Sequence, residues 1–173
     1  MRALAFRVFL LLCLAAPLAG QTDEWKRYKN ADGNFSVIFP TEPTDTTNKT
    51  EEGIQSHTLS STARPVVYTV IYAAMAKEQP VNDATYETFK NAVFKELPKC
   101  TVITDKTGSP AIQGYISRAY RLSCEMGVTV TIIGNLYWGR HYSYAVMVMF
   151  TTRSDPPTIK NFTDSFEITD TSK

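Results

Sequence analysis

The sequence has few of the residues that catalysis and metal binding most often use. It contains only two histidines, His57 and His141, and a nucleophilic hydrolase would need one of them beside a serine or cysteine. No Gly-x-Ser-x-Gly motif, no His-x-x-x-His pair and no glycine-rich loop between a strand and a helix occurs in the chain. The sequence therefore predicts a protein that is not an enzyme and that has no metal or cofactor site.

The chain also lacks an excess of either charge. Its 18 basic and 17 acidic residues are scattered, and no run of like charge is longer than a pair such as Glu51-Glu52. Proteins that bind nucleic acids gather lysine and arginine on one face. The even balance therefore predicts that the protein has no nucleic-acid partner.

No apolar run is long enough for a membrane-spanning helix, which needs about 20 residues. The longest run lies within residues 8–19, after a basic start and before the polar Gln21. This pattern predicts a signal peptide over residues 1–20, and the alternative is an uncleaved anchor. Residues 21–173 then suit a single globular domain, periplasmic or secreted, with no transmembrane segment after cleavage.

Cysteine is scarce, and one of the three cysteines, Cys13, lies in the predicted signal peptide. Because exported proteins meet oxidising conditions, Cys100 and Cys124 predict a disulfide. A turn at residues 108–109 would hold the pair roughly 20 Å apart along the strands, too far for a bridge. A loop centred near residue 112 would bring them side by side, and two buried free thiols are the remaining alternative.

Alternating apolar and polar residues are abundant. They predict strands at residues 25–29, 35–39, 55–60, 66–74, 101–106, 115–124, 128–138 and 141–151. The segments 66–74 and 141–151 carry apolar side chains on both faces, which is typical of inner strands. The polar residues 41–53 predict a loop that runs into a solvent-exposed edge strand.

Two segments have helical spacing instead. The first begins at Asn82 or Asp83 and ends before Pro98, and its apolar positions are Tyr86, Phe89, Val93 and Leu97. The second begins at Ser154-Asp155-Pro156-Pro157 and contains Ile159, Phe162 and Phe166. The order of the segments and their short links predict an α+β fold, a mainly antiparallel β-sheet covered by helices.

Several motifs carry a family resemblance. They are Trp25-x-x-Tyr28-x-Asn30, Phe35-x-Val37-x-Phe39-Pro40-x-x-Pro43, Tyr68-x-Val70-x-Tyr72, Gly108-x-Pro110-Ala111, Gly139-x-x-Tyr142 and Phe162-x-x-Ser165-Phe166. In this order the chain resembles the PsbP-like and DcrB-like extracytoplasmic domains. The resemblance implies an α/β/α sandwich, in a family whose members mostly bind or stabilise other proteins and are not enzymes. The short secretory-type signal differs from the plastid targeting region expected of photosynthetic members.

Tyrosines crowd the predicted strands. Tyr68, Tyr72, Tyr142 and Tyr144 could line a ligand cleft or a partner surface, and the alternative is core packing with hydroxyls at the rim. The sequence thus predicts an exported accessory protein that binds another extracytoplasmic protein. The alternative function is a small-ligand or lipid-binding module that uses this tyrosine-rich face.

Overall fold

The computed structural model describes residues 25–49, 55–95, 97, 99–107, 111–151 and 155–169. The predicted signal peptide lies outside the described residues. The strands are β1 (Lys26–Asn30), β2 (Phe35–Phe39), β3 (Thr44–Lys49), β4 (Gln55–Ala63), β5 (Val66–Ala74), β6 (Cys100–Thr107), β7 (Ile116–Glu125), β8 (Thr129–Trp138), β9 (Tyr142–Phe150) and β10 (Glu167–Ile168). The helices are α1 (Asp83–Lys95) and α2 (Thr158–Thr163).

The strands form two antiparallel sheets. The small sheet has the order β1-β2-β10, and the large sheet has the order β3-β4-β5-β9-β8-β7-β6. The predicted antiparallel pairing is confirmed, but the predicted α+β fold, an α/β/α sandwich, is wrong. The described residues form a mostly β structure, a β-sandwich, because a three-stranded sheet packs on the large sheet where a layer of helices was expected.

The small sheet begins with a hairpin of β1 and β2, which correspond to the strands predicted at residues 25–29 and 35–39. Asn30 Oδ1 accepts a hydrogen bond from the Gly33 N–H in the connecting turn, and Asn34 takes a positive φ of 57°, a conformation that asparagine tolerates better than most residues. Alternate side chains of β2 (Phe35, Val37 and Phe39) are at most 1% exposed and pack against the large sheet. The apolar face that this alternation gives to β2 therefore packs the small sheet on the large one.

The opposite face of the large sheet is covered by α1. The predicted helix is confirmed, and Asn82 caps it, since its side-chain oxygen accepts a hydrogen bond of 3.0 Å from the Thr85 N–H. Trp138 of β8 fixes the helix start, because its indole N–H lies 3.0 Å from both the Pro80 carbonyl oxygen and Thr85 Oγ1. Tyr86 and Phe89 contribute to a second core beneath the helix.

The C-terminal helix is shorter than the sequence predicts. It occupies only Thr158–Thr163, and Phe166 lies beyond it, although Phe166 is still buried between the sheets. The residues that follow form β10, which pairs with the start of β2 and which no pattern in the sequence predicts. Ser154, proposed as part of the helix start, lies outside the described residues.

Asp155 precedes α2 and forms a two-pronged ion pair with Arg121 of β7, with both N···O distances 2.8 Å. The hydrogen bonds from Arg121 hold the pKa of the Asp155 carboxyl below its usual value. Because a group with a lowered folded pKa stabilises the protein above its unfolded pKa, this contribution should fade as the pH falls through the folded pKa.

We therefore expect Asp155→Asn to lower the free energy of unfolding at pH 7 by about 0.5–1 kcal/mol, a modest value because the pair is partly exposed. Urea titrations should show that the difference in the free energy of unfolding between wild type and variant shrinks toward about pH 2. At that pH both proteins carry a neutral group at position 155. Glu42→Gln, at an exposed glutamate that forms no ion pair within the described residues, is the control. A gap that stays constant down to that pH would contradict the ion-pair explanation.

Candidate functional site: the β6 edge

The four tyrosines predicted to form a ligand or partner face lie at or inside the sandwich. Tyr68, Tyr72 and Tyr144 are at most 3% exposed, and Tyr142 is half-buried beside them. The Tyr144 hydroxyl donates a hydrogen bond of 2.9 Å to the Gly33 carbonyl oxygen, and burial raises the pKa of Tyr144. These side chains pack the two sheets together, as the core-packing alternative describes.

The two histidines lie in polar surroundings at the surface. The His57 ring stacks on Tyr72 at a centroid distance of 4.8 Å, and its Nδ1 lies 3.5 Å from Asp45 Oδ1. His141 Nε2 lies 3.6 Å from Glu78 Oε1. Within the described part of the chain, neither ring forms a hydrogen bond to a serine or cysteine. That the protein is not an enzyme stays a prediction.

The predicted disulfide between Cys100 and Cys124 is confirmed. The two cysteines are direct partners in the β6–β7 ladder. The connection between the strands is long enough to allow this, because the ladder ends at the pair of Thr107 with Arg118, which centres the connection between residues 112 and 113. Of the two connections considered for residues 100–124, the longer one is correct.

Strand β6 is the last strand of the large sheet on this side. After the half-buried Cys100, every residue of the strand is exposed. Val102 is 48% exposed and Ile103 is 56% exposed, so two large apolar side chains lie next to each other on an unpaired edge. Apolar edge strands attract other strands, and proteins usually protect them.

The outward backbone groups of β6 can be assigned from the ladder. The Cα atoms of Cys100 and Cys124 are 4.0 Å apart, which fits a pair that exchanges no backbone hydrogen bonds, and the Glu125 N–H donates to the Lys99 carbonyl oxygen one position earlier. By alternation, the backbone N–H and C=O groups of Cys100 and Val102 point away from β7. The register shift between Val102 and Thr104 leaves Ile103 in a bulge.

The charges at the edge are mainly positive. Lys99 and Lys106 flank the apolar residues, are exposed, and form no ion pair within the ranges described. Asp105 is occupied, because its carboxylate lies 3.0 Å from Lys90 Nζ on α1. Burial lowers the pKa of Lys90, but hydrogen bonds to Glu87 and Asp105 outweigh it and raise this pKa overall. The edge therefore offers two apolar side chains between two free lysines.

The opposite edge of the large sheet has a different character. It is formed by β3, whose sequence TDTTNK is polar and mostly exposed. The prediction of a polar edge strand in this region is confirmed. The pattern of residues 101–106 predicts a strand but does not show that this strand is the second edge, because alternation does not tell where a strand lies in a sheet.

No protein-family model matches the chain, and no curated protein matches it by sequence. Neither helix that the structure describes is both long and apolar enough to cross a bilayer.

Proposed function

We propose that this protein is an exported accessory protein that binds a partner protein by accepting an extended segment along β6. The observation that carries the proposal is the pair of exposed apolar residues, Val102 and Ile103, on an edge strand with outward backbone hydrogen-bonding groups. In this mode of recognition the main chain supplies much of the affinity, and alternate side chains supply the specificity.

The chemistry of the edge describes the partner. Val102 and Ile103 favour apolar side chains in the middle of the added segment, since their exposed surface would be removed from water. Lys99 and Lys106 favour acidic residues at its two ends, because neither forms an ion pair within the described residues. The proposed partner segment is therefore short, extended, apolar at its centre and acidic at its ends.

A further observation supports the proposal, since the Cys100–Cys124 disulfide is compatible with an extracytoplasmic location. A ligand on the tyrosine-rich face, the alternative function, would have to displace packed pairs such as Tyr144 and Phe166, whose ring centroids are 5.4 Å apart.

The proposal is tested by placing a photo-cross-linking amino acid at position 103 and activating it in the envelope of the source organism. We expect one recurrent protein, joined through a segment of the chemistry described above. Val102→Glu should reduce this product about tenfold or more, because it puts a negative charge where an acidic, apolar segment would lie. Thr44→Glu is the control, since Thr44 is exposed on β3, at the opposite edge of the large sheet.

Loss of the product in both variants, or in neither, would contradict strand addition at β6. Cross-linking only to other copies of the same chain would show instead that β6 forms a homodimer. A product at position 103 that persists in Val102→Glu, with no change in its yield, would mean that the bulge and the lysines protect the edge and do not recruit a partner.

A further inference from the structure

Two tyrosine hydroxyls in the core under α1 are buried and have no hydrogen-bond partner among the described residues. Tyr86 lies in α1 and is 1% exposed, and Tyr120 lies in β7 and is 3% exposed. Buried polar groups in native structures are nearly always hydrogen-bonded, because leaving one unpaired is costly. Two such groups in one core therefore point to a place where a polar atom of another molecule would be stabilised.

The two hydroxyls are neighbours, and both can donate a hydrogen bond. The Tyr120 ring packs against Phe94 of α1 at a centroid distance of 5.3 Å, so it reaches the helix that carries Tyr86. Burial raises the pKa of Tyr120, and the electrostatic effect of Tyr86 adds to it. Burial and the negative charge of Asp105 likewise raise the pKa of Tyr86, and Arg118 opposes them. Both phenols therefore stay protonated at neutral pH, and each has a hydrogen atom to donate.

The surroundings of the two hydroxyls are apolar and adaptable. Four methionines belong to this core or pack against it, namely Met75, Met126, Met147 and Met149. Methionine is flexible and fills irregular space, so a core rich in it tolerates an added apolar group. Phe89, Val93 and Phe94 of α1 are only half-buried. The margin of the core is therefore open to solvent, which gives a small molecule a way in.

Two cations beside Tyr86 are already paired. Lys90, one turn further along α1, holds its Nζ 3.0 Å from Asp105 Oδ2. The Arg118 guanidinium lies 5.8 Å from the centroid of the Tyr86 ring and 3.7 Å from Asp83 Oδ1. A carboxylate bound here would meet the negative charge of Asp105 while both cations are occupied. A neutral oxygen would not be repelled, so the charges favour a neutral ligand.

We propose that the core under α1 binds a small, neutral and mainly apolar molecule through one carbonyl oxygen, which accepts hydrogen bonds from Tyr86 and Tyr120. One such oxygen satisfies both hydroxyls, since it has two lone pairs. The apolar part of the molecule packs among the methionines, where it is removed from water. The site uses neither Val102 nor Ile103, so this inference goes beyond the proposed function and does not depend on it.

Two probes of nearly the same shape test the site. Acetophenone carries a carbonyl oxygen, and α-methylstyrene carries a methylene group in its place. Each is titrated into the protein labelled with carbon-13 at the methionine methyl groups, and the shift of the Met147 signal reports binding in this core. We expect acetophenone to shift this signal and to bind at least about fivefold more tightly than α-methylstyrene, because only its oxygen accepts the two hydrogen bonds.

Variants that lack one hydroxyl identify its part in binding. Tyr86→Phe and Tyr120→Phe each keep the ring, and each should weaken acetophenone binding about three- to tenfold and leave α-methylstyrene binding unchanged. Tyr137→Phe is the matched control. The Tyr137 hydroxyl is also buried without a partner within the described ranges, but it belongs to the core between the two sheets. Its removal should leave the affinities for both probes unchanged.

An unshifted Met147 signal in the presence of acetophenone would overturn the proposal. Equal affinities for the two probes would also overturn it, since the hydroxyls would then play no part in binding. The same conclusion holds if Tyr137→Phe weakens acetophenone binding as much as Tyr120→Phe does. The methionine spectrum of each variant without a probe shows that its core is intact, so a loss of binding is not mistaken for a loss of fold.

Discussion

Phe35→Ala should lower the free energy of unfolding by about 3–5 kcal/mol, the range for truncating a fully buried aromatic side chain. Phe35 is 0% exposed and contacts rings from both sides of the sandwich interior, at centroid distances of 5.4 Å to Tyr72 and 5.5 Å to Phe166. Because Tyr72 belongs to the large sheet and Phe166 precedes β10, the cavity would open where three elements meet. Urea or guanidinium unfolding, followed by circular dichroism, measures the loss.

The control for this substitution lies on the same strand. Ile38 is half-buried on β2, and its backbone N–H donates a hydrogen bond of 2.9 Å to Ser165 Oγ. Ile38→Ala should cost about 1 kcal/mol, since it leaves that backbone bond intact and removes less buried surface. Equal losses for the two variants would contradict the view that Phe35 joins the sheets.

Gly134→Ala should lower the free energy of unfolding by about 3 kcal/mol, although alanine normally suits a strand at least as well as glycine. Gly134 lies in β8 between Tyr120 of β7 and Met147 of β9. A β-carbon added at Gly134 would overlap the backbone carbonyl oxygen of Val146. The backbone of β9 can move away only if its hydrogen bonds to β8 break. Thermal and denaturant unfolding should therefore both show a large loss of stability.

Ile132→Val is the matched control, because Ile132 lies two residues earlier on the same face of β8 and is 1% exposed. It should cost about 1 kcal/mol, the usual range for removing one buried methylene. A Gly134→Ala variant as stable as wild type would show that β8 and β9 tolerate a wider separation at this point than their register indicates.

The sequence predicts the strands well but not their assembly into layers. The segments 66–74 and 141–151 read as inner strands because both of their faces are apolar, and β5 and β9 do pair at the centre of the large sheet. Alternation in residues 35–39 shows only that β2 has a buried face. Whether that strand extends the large sheet or packs on top of it depends on long-range contacts that no local pattern records.

The same limit applies to the candidate site. Tyr68 and Tyr144 alternate with smaller residues in a way that fits an exposed aromatic face as well as a buried one. They are buried because the small sheet packs over them. The dipeptide Glu167–Ile168 is too short to be recognised as a strand. The disulfide could be anticipated from cysteine number, but its pairing geometry depended on a loop whose length the sequence left open.

The pairing of β10 with β2 has a consequence for how this protein reaches its native state. Ser36 pairs with Glu167, so the small sheet closes only when residues separated by most of the chain have met. Contacts of such long range make folding slow, in the millisecond-to-second regime typical of β-sandwiches. Until that closure the apolar side of the large sheet is uncovered, so the interval before closure is when the chain is most exposed to aggregation and most dependent on chaperones.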